Sequence, residues 1–174
     1  MRDSCLVALM TISRDMEIQS TLSTRMTRGL TIYFAGAISG GRADVAHYRQ
    51  IVQALEDDGH YVLAGAVASE EVSAHGESID AAAIWARDLS WIEEADVLVA
   101  EVSLPSTGVG YEVSAARYRY GKPVICLYRA GHTKRCSAMI AGDAGVELIE
   151  YEETPEMLIR LRAALAKYTT LAGG

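Results

Sequence analysis

Five short apolar runs alternate along this chain with longer segments whose apolar residues recur at helical spacing. The runs are rich in β-branched and aromatic residues, as strands are, and they cover residues 30–36, 61–67, 96–102, 123–129 and 146–151. Strands that alternate with helices form a parallel sheet covered on both faces. The sequence therefore predicts a single-domain α/β fold, a Rossmann-like (flavodoxin-like), doubly wound, five-stranded parallel sheet with strand order 2-1-3-4-5. In that order a ligand crevice opens at the carboxyl ends of strands one and three.

The length of 174 residues suits one domain. We predict a disordered N-terminal extension over residues 1–29, a folded domain over 30–168 and a loose tail over 169–174. No apolar run approaches the roughly 18 residues of a membrane span.

Composition narrows the class of ligand. The formal charge is −7, which argues against non-specific binding to a nucleic-acid backbone but leaves room for a small phosphorylated ligand. Three cysteines without a pairing pattern indicate reduced thiols. We expect a cytoplasmic protein, with the nucleus as a second compartment in a eukaryotic cell. The four histidines show no ligand spacing, so we expect no metal site.

Two unusual loops follow strands one and three. The first, GAISGGR (36–42), lacks the spacing of the G-x-G-x-x-G dinucleotide motif. Its glycines can still let backbone amides approach a ligand at a helix N-terminus, although a tight turn without a ligand explains them equally well.

The second loop delivers a carboxylate. The stretch VSLPSTGVGYE (102–112) predicts a helix from about Tyr111 to Tyr120, with Glu112 near its start. The helix dipole stabilises an anion there, so we predict an ionised Glu112 presented to a neutral centre. The alternative is a glutamate that only caps the helix, but the capping-box spacing fails because Gly110 stands three residues after Thr107.

A second carboxylate falls on an apolar stripe of the preceding predicted helix. Asp88 lies four residues after Ile84 and three before Trp91. Burial there would favour its protonated form, as a proton donor requires. The alternative is a structural aspartate that bonds backbone amides. One ionised and one protonated carboxylate can cleave a glycosidic bond, through a covalent intermediate where they stand about 5 Å apart.

These residues resemble a known family. The stretches YFAGAISGGR, DLSWIEEADVLVAEVSLPSTGVGYE and CSAMI look like those of 2'-deoxynucleoside 5'-monophosphate N-glycosidases, in the nucleoside 2-deoxyribosyltransferase superfamily. The similarity runs from about Thr31 to Tyr168. It implies hydrolysis of a deoxynucleotide to a free base and 2-deoxyribose 5-phosphate, without a metal or redox cofactor, by a homodimer.

The resemblance also implies residue roles. Glu112 would be the nucleophile, Asp88 the general acid or the partner of a sugar hydroxyl, and Tyr33 a group that places the sugar and Glu112. Ser137 would be donated across the dimer interface to the phosphate, and Ile38 and Met139 would contact the base. The implied substrate-binding set is Gly36, Ala37, Ile38, Ser39, Gly40, Gly41, Ser106, Gly108, Gly110, Ser137 and Met139.

The chain departs from the family pattern in the first loop. Where the family reads Ser-Ile-Arg, this chain has Ala37, Ile38 and Ser39, so a weaker grip on the phosphate is expected. Arg42 or Lys134 would then supply charge.

Three other functions remain open at this stage. One is a nucleoside 2-deoxyribosyltransferase, although that resemblance implies an asparagine lent by a neighbouring subunit and this chain contains none. The others are a ribonucleotide (CMP-type) glycosidase and a non-catalytic nucleotide sensor on the same fold.

Overall fold

A computed structural model describes residues 29–38, 44–64, 67, 80–131 and 135–169. The bounds of its helices and strands are given in chain order: β1 Thr31–Ala35, α1 Val45–Asp57, β2 Tyr61–Leu63, α2 Ala81–Glu94, β3 Val97–Glu101, α3 Thr107–Ser114, β4 Val124–Arg129, α4 Ala138–Ala141, β5 Val146–Tyr151 and α5 Thr154–Thr169. A π-helical turn, Ala115–Arg119, continues α3. The predicted extension before residue 29 and all but the first residue of the predicted tail lie outside the described residues.

The sheet confirms the predicted architecture. Within the described ranges it has five parallel strands in the order β2-β1-β3-β4-β5. In the register of the two central strands, Tyr33 of β1 stands beside Leu98 of β3. Strand β2 is shorter than the apolar run 61–67 suggested, because it ends at Leu63.

The two faces of the sheet carry two separate cores. Ile32 and Phe34 point to a core formed with α1 and α5, whereas Tyr33 and Ala35 point to a core formed with α2 and α3. Successive side chains of a strand alternate between faces. This alternation assigns Tyr33 to the face that α2 and α3 cover.

Helix α3 begins earlier than the sequence suggested. We expected a start near Tyr111, but the helix starts at Thr107, and the Ser106 hydroxyl accepts a hydrogen bond from the Val109 amide at 3.4 Å. Gly108 and Gly110 therefore lie inside the first turn, and Glu112 lies in the second. The prediction was wrong because glycines weaken a helix, whereas here a serine N-cap and tertiary packing outweigh that cost.

Positive backbone φ angles account for two chain reversals. Gly59 after α1 has φ +85° and Gly121 after the π-helical turn has φ +63°. Residues with a β-carbon rarely adopt these angles. No helix in the described part of the chain is long and apolar enough to cross a membrane.

Candidate active site

Tyr33 and Glu112 meet between the sheet and α3. The Tyr33 hydroxyl donates a hydrogen bond to Glu112 Oε1 at 2.9 Å. Tyr33 comes from the middle of β1 and Glu112 from the second turn of α3, so the contact joins residues 79 positions apart. The tertiary fold therefore brings together two of the three side chains expected to be catalytic.

Asp88 is the third member of the group. It lies on α2, and its negative charge raises the pKa values of both Glu112 and Tyr33. The apolar stripe predicted around it is buried at Ile92 and Ala95 and only partly buried at Ile84 and Trp91. The Asp88 side chain itself keeps 19% of its surface exposed, so solvent and a ligand can reach it.

The Glu112 carboxyl has an unusual acidity. Burial and, to a smaller extent, the charge of Asp88 raise its pKa, the Tyr33 hydrogen bond lowers it, and together they bring the pKa to about 6. Burial and the two carboxylates also raise the pKa of Tyr33, so its hydroxyl keeps its proton and remains a donor. At neutral pH most of Glu112 is still ionised, as a nucleophile requires.

The contacts of Asp88 favour its ionised form, whereas the sequence suggested the protonated form. We expected a protonated Asp88, but Arg87 Nε and Nη2 lie 2.9 and 2.8 Å from Asp88 Oδ1. A cation at that distance stabilises the ionised carboxylate. Burial raises the pKa of the other carboxyl, Glu112. The apolar spacing around Asp88 did not reveal that its own neighbour would pair with it.

The first loop is described only in part. Gly36 and Ala37 are buried and Ile38 is partly exposed, whereas Ser39, Gly40 and Gly41 lie outside the described residues. A β-carbon at Gly36 would stand 2.9 Å from Val67 and 3.2 Å from the Tyr48 ring. Close packing thus explains Gly36 without a ligand.

The N-terminus of α3 offers fewer amides than expected. The Gly110 amide bonds the Ser106 carbonyl at 3.1 Å, so it is already used within the helix. Gly108 lies in the first turn, where backbone amides have no intrahelical acceptor. Of the two glycines of α3 in the predicted substrate-binding set, Gly108 is thus the one whose amide suits a ligand oxygen.

A cavity of about 660 Å³ opens on the other flank of α3. Four residues of the predicted substrate-binding set line it, namely Ser106, Gly110, Ser137 and Met139. Its lining includes none of Tyr33, Asp88 and Glu112. At about 100° per helical residue, Glu112 points about 160° away from Gly110 and about 100° away from Val113, which face the cavity, and about 60° away from Val109 at its edge. Within one chain, the predicted substrate-binding residues are therefore divided between two places.

A second buried polar cluster was not foreseen from the sequence. Glu101, at the end of β3, is fully buried and accepts hydrogen bonds from the Ser103 hydroxyl and from Tyr151 Oη at 3.2 Å. His47 Nε2 lies 2.7 Å from the same Tyr151 hydroxyl, and the Arg129 amide donates to Ser103 Oγ at 2.7 Å. The signal was present, because Glu101 interrupts the apolar run VLVAEV.

The Glu101 cluster lies on the α1 and α5 face of the sheet. Val97 and Val99, which share the strand parity of Glu101, belong to the core on that face, whereas Tyr33 belongs to the opposite core. Burial raises the pKa of Glu101, while its hydrogen bonds and Arg129 oppose the rise. The contacts of the cluster connect the carboxyl ends of β3, β4 and β5. This arrangement indicates a structural role for Glu101. Among the described residues, no group of three His, Cys, Asp or Glu side chains could hold a metal ion.

A doubly wound parallel sheet that holds two carboxylates and a tyrosine on one face defines an α/β protein suited to chemistry on a small bound molecule. Residues 32–155 match the family model described as nucleoside 2-deoxyribosyltransferase. The chain therefore belongs to the nucleoside 2-deoxyribosyltransferase family.

Individual relatives support this membership. The chain is 46% identical over 116 residues to the 5-hydroxymethyl-dUMP N-hydrolase of Mus musculus, covering 66% of each chain. It is 41% identical over 128 residues to the 5-hydroxymethyl-dUMP N-hydrolase of Danio rerio, covering 73% of this chain and 88% of the relative. The solved CMP N-glycosidase BcmB of Clostridium botulinum shares the fold with a TM-score of 0.57 and 21% identity, over 78% of this chain and 99% of that one.

Proposed function

We propose that this protein hydrolyses the N-glycosidic bond of 2'-deoxynucleoside 5'-monophosphates to a free base and 2-deoxyribose 5-phosphate. The observation that carries the proposal is the Tyr33–Glu112 hydrogen bond beside Asp88. It supplies an oriented, ionisable nucleophile next to a second carboxylate. Relatives with more than 40% sequence identity to this chain are named N-hydrolases, which supports water as the acceptor of the sugar.

The first step forms a covalent intermediate. One oxygen of Glu112 attacks the anomeric carbon while Tyr33 holds Oε1. The bond from the anomeric carbon to the base nitrogen breaks, its electron pair leaves with the base, and a proton from water completes the free base. A deoxyribose lacks the electron-withdrawing 2'-hydroxyl, so the oxocarbenium-like transition state is easier to reach.

The second step releases the sugar. Water attacks the anomeric carbon, the bond to the Glu112 oxygen breaks, and its electron pair restores the carboxylate. The hydroxyl group of that water stays on the sugar as 2-deoxyribose 5-phosphate, and its remaining proton passes to solvent. The covalent route divides one difficult displacement into two easier ones.

Asp88 takes the second of the two roles that the resemblance allows. Its pairing with Arg87 favours an anion, which accepts a hydrogen bond from a sugar hydroxyl and stabilises positive charge on the ring. An anion cannot serve as the proton donor for the leaving base.

We also propose a homodimer in which Ser137 completes the site of the other subunit. In its own chain Ser137 lines the cavity across α3 from Glu112, a position that supports donation to a partner. Trp85, Tyr111, Tyr118 and Met139 are exposed around these elements and supply an apolar surface for association.

A product assay tests the reaction. The protein is incubated with dGMP, 5-hydroxymethyl-dUMP, GMP and deoxyguanosine, and the free base is measured by chromatography. We expect release from the deoxynucleotides and little from GMP. Glu112→Gln should lower kcat by at least about a hundredfold, as loss of a nucleophile does. Equal rates for GMP and dGMP would contradict the assignment to deoxynucleotides.

Two further outcomes would replace the proposal. Faster transfer of the sugar to an added second base than to water would identify a deoxyribosyltransferase. Binding of dGMP without turnover by the parent protein would identify a sensor.

Subunit complementation tests the shared site. Glu112→Gln and Ser137→Ala are each prepared as homodimers of low activity, and the two are then mixed and allowed to exchange subunits. A mixed dimer contains one site with both native groups, so about a quarter of the parental activity should return. If Ser137 acts within its own chain, mixing will restore nothing.

A further inference from the structure

We propose that Arg87 is a positioning residue of this site, which fixes Asp88 as an anion and thereby sets the pH range in which Glu112 acts. The inference rests on the proposed function for its kinetic readout. The geometry of Arg87 is independent of that function.

The contact between Arg87 and Asp88 is made by two donors. Arg87 Nε and Nη2 lie 2.9 and 2.8 Å from Asp88 Oδ1. The two side chains keep only 26% and 19% of their surface exposed, so solvent screens the pair less than it would a surface pair. Such charge-assisted contacts restrict both the charge and the orientation of the carboxylate.

An aromatic ring holds the guanidinium in this position. Arg87 Cζ lies 4.7 Å from the centre of the Trp91 ring, one helical turn further along α2. A planar guanidinium can stack on a ring while its edge bonds a carboxylate, whereas a lysine ammonium offers only a point charge. Arg87 is thus fixed from two sides.

The charge of Arg87 reaches the nucleophile through its neighbours. In the described chain, the groups that act on Glu112 are Tyr33 from β1 and Asp88 from α2, and Arg87 also acts on Tyr33 by lowering its pKa. Asp88 raises the pKa of Glu112. We expect the Arg87 cation, 2.8 Å from Asp88 Oδ1, to offset part of that effect. Without the cation, the two carboxylates would compete for one proton.

The test compares Arg87→Gln and Arg87→Lys with the parent protein. Glutamine removes the charge, and lysine keeps it. Arg119→Gln is a matched control, because Arg119 is also stacked on a ring, that of Tyr120, but stands exposed on the π-helical turn. The readout is kcat/KM for dGMP between pH 5 and 8.

We expect Arg87→Gln to move the acidic limb of the profile upward by up to about one pH unit, because the charge of Asp88 is then no longer offset by a neighbouring cation. Arg87→Lys should move it less, and Arg119→Gln should leave it in place. The 5'-phosphate also ionises near pH 6. Comparing all variants on one substrate removes that contribution.

A second measurement separates this inference from the proposed function. The titration of Glu112 is followed by carboxyl ¹³C NMR in the free protein, where no turnover is needed. A parent protein that releases no base but whose Glu112 titration shifts in Arg87→Gln would overturn the function and keep the role of Arg87. An unshifted Glu112 with reduced thermal stability would show that Arg87 only packs on Trp91, and it would overturn the inference.

Discussion

At the scale of single residues, the site depends on a carboxyl kept out of water. Glu112 is partly buried and, among the described residues, accepts a hydrogen bond from Tyr33. Burial and the charge of Asp88 outweigh that hydrogen bond and raise the pKa of Glu112 to about 6, against an ordinary 4.5. The ionised Glu112 carboxylate therefore destabilises the fold, a cost that its proposed role as nucleophile explains.

This cost predicts a stabilised variant. The pKa of Glu112 is higher in the folded than in the unfolded chain, so the ionised form destabilises the fold above pH 6 and not below pH 4.5. Glu112→Gln keeps an acceptor for Tyr33 and removes the charge. We expect its free energy of unfolding to exceed that of the parent by up to about 2 kcal/mol at pH 8.

Urea unfolding at pH 8 and pH 4.5 measures the effect, and the gain should vanish at the lower pH. Glu93→Gln, at an exposed position of the neighbouring helix α2, is the control and should change little at either pH. A Glu112→Gln variant that is less stable than the parent at pH 8 would show that the carboxylate is better solvated than its burial indicates.

At the scale of secondary-structure elements, helix α3 packs against the sheet and also carries Glu112, the proposed nucleophile. Its N-cap is Ser106, its first turn contains two glycines, and its second turn presents Glu112. A helix of eight residues that includes glycines depends strongly on its cap and on its packing. Ser106 is therefore a structural residue whether or not it also contacts a phosphate.

Two substitutions separate the duties of Ser106. Ser106→Ala removes the cap and should cost about 1 kcal/mol of stability. Ser106→Asp restores a cap but places a negative charge where a phosphate would bind, so it should raise KM for dGMP with the stability retained. Denaturation and steady-state kinetics give the two readouts. An unchanged KM in Ser106→Asp would remove Ser106 from the phosphate site.

At the scale of the whole molecule, the sheet separates two sets of buried polar groups. Tyr33, Asp88 and Glu112 lie on the face covered by α2 and α3, and the Glu101 cluster lies on the face covered by α1 and α5. The first set includes the partly exposed carboxylate of Asp88. In the second set, the carboxylate of Glu101 is fully buried. This separation supports the proposal that the face covered by α2 and α3 holds the active site, while the Glu101 cluster joins strand ends.

The closed cluster gives a prediction of its own. Glu101→Met leaves the Ser103 and Tyr151 donors without their acceptor and should cost about 1–3 kcal/mol per donor. Glu101→Gln keeps an acceptor and should cost less. Thermal unfolding compares the two, and the pH profile of base release should be the same in both. A shift of the acidic limb in Glu101→Gln would mean that the cluster communicates with Glu112.

The fold class and the strand order were predictable from the amino-acid sequence. Strand-like runs that alternate with helical segments leave few ways to bury both faces of a sheet, and that pattern is local and periodic. It also pointed to Glu112, Asp88 and Tyr33, through a glycine-bearing turn, an acid on an apolar stripe and the family resemblance.

The contacts that these groups make came from the tertiary structure alone. The start of α3 depends on a serine cap and on packing against the sheet, which outweigh the helix propensities of Gly108 and Gly110. The charge on Asp88 depends on where the Arg87 side chain turns, and the flank of α3 that Ser137 faces depends on the path of the chain after β4. Burial and charge pairing are set by neighbours from distant parts of the chain, and local spacing carries no record of them.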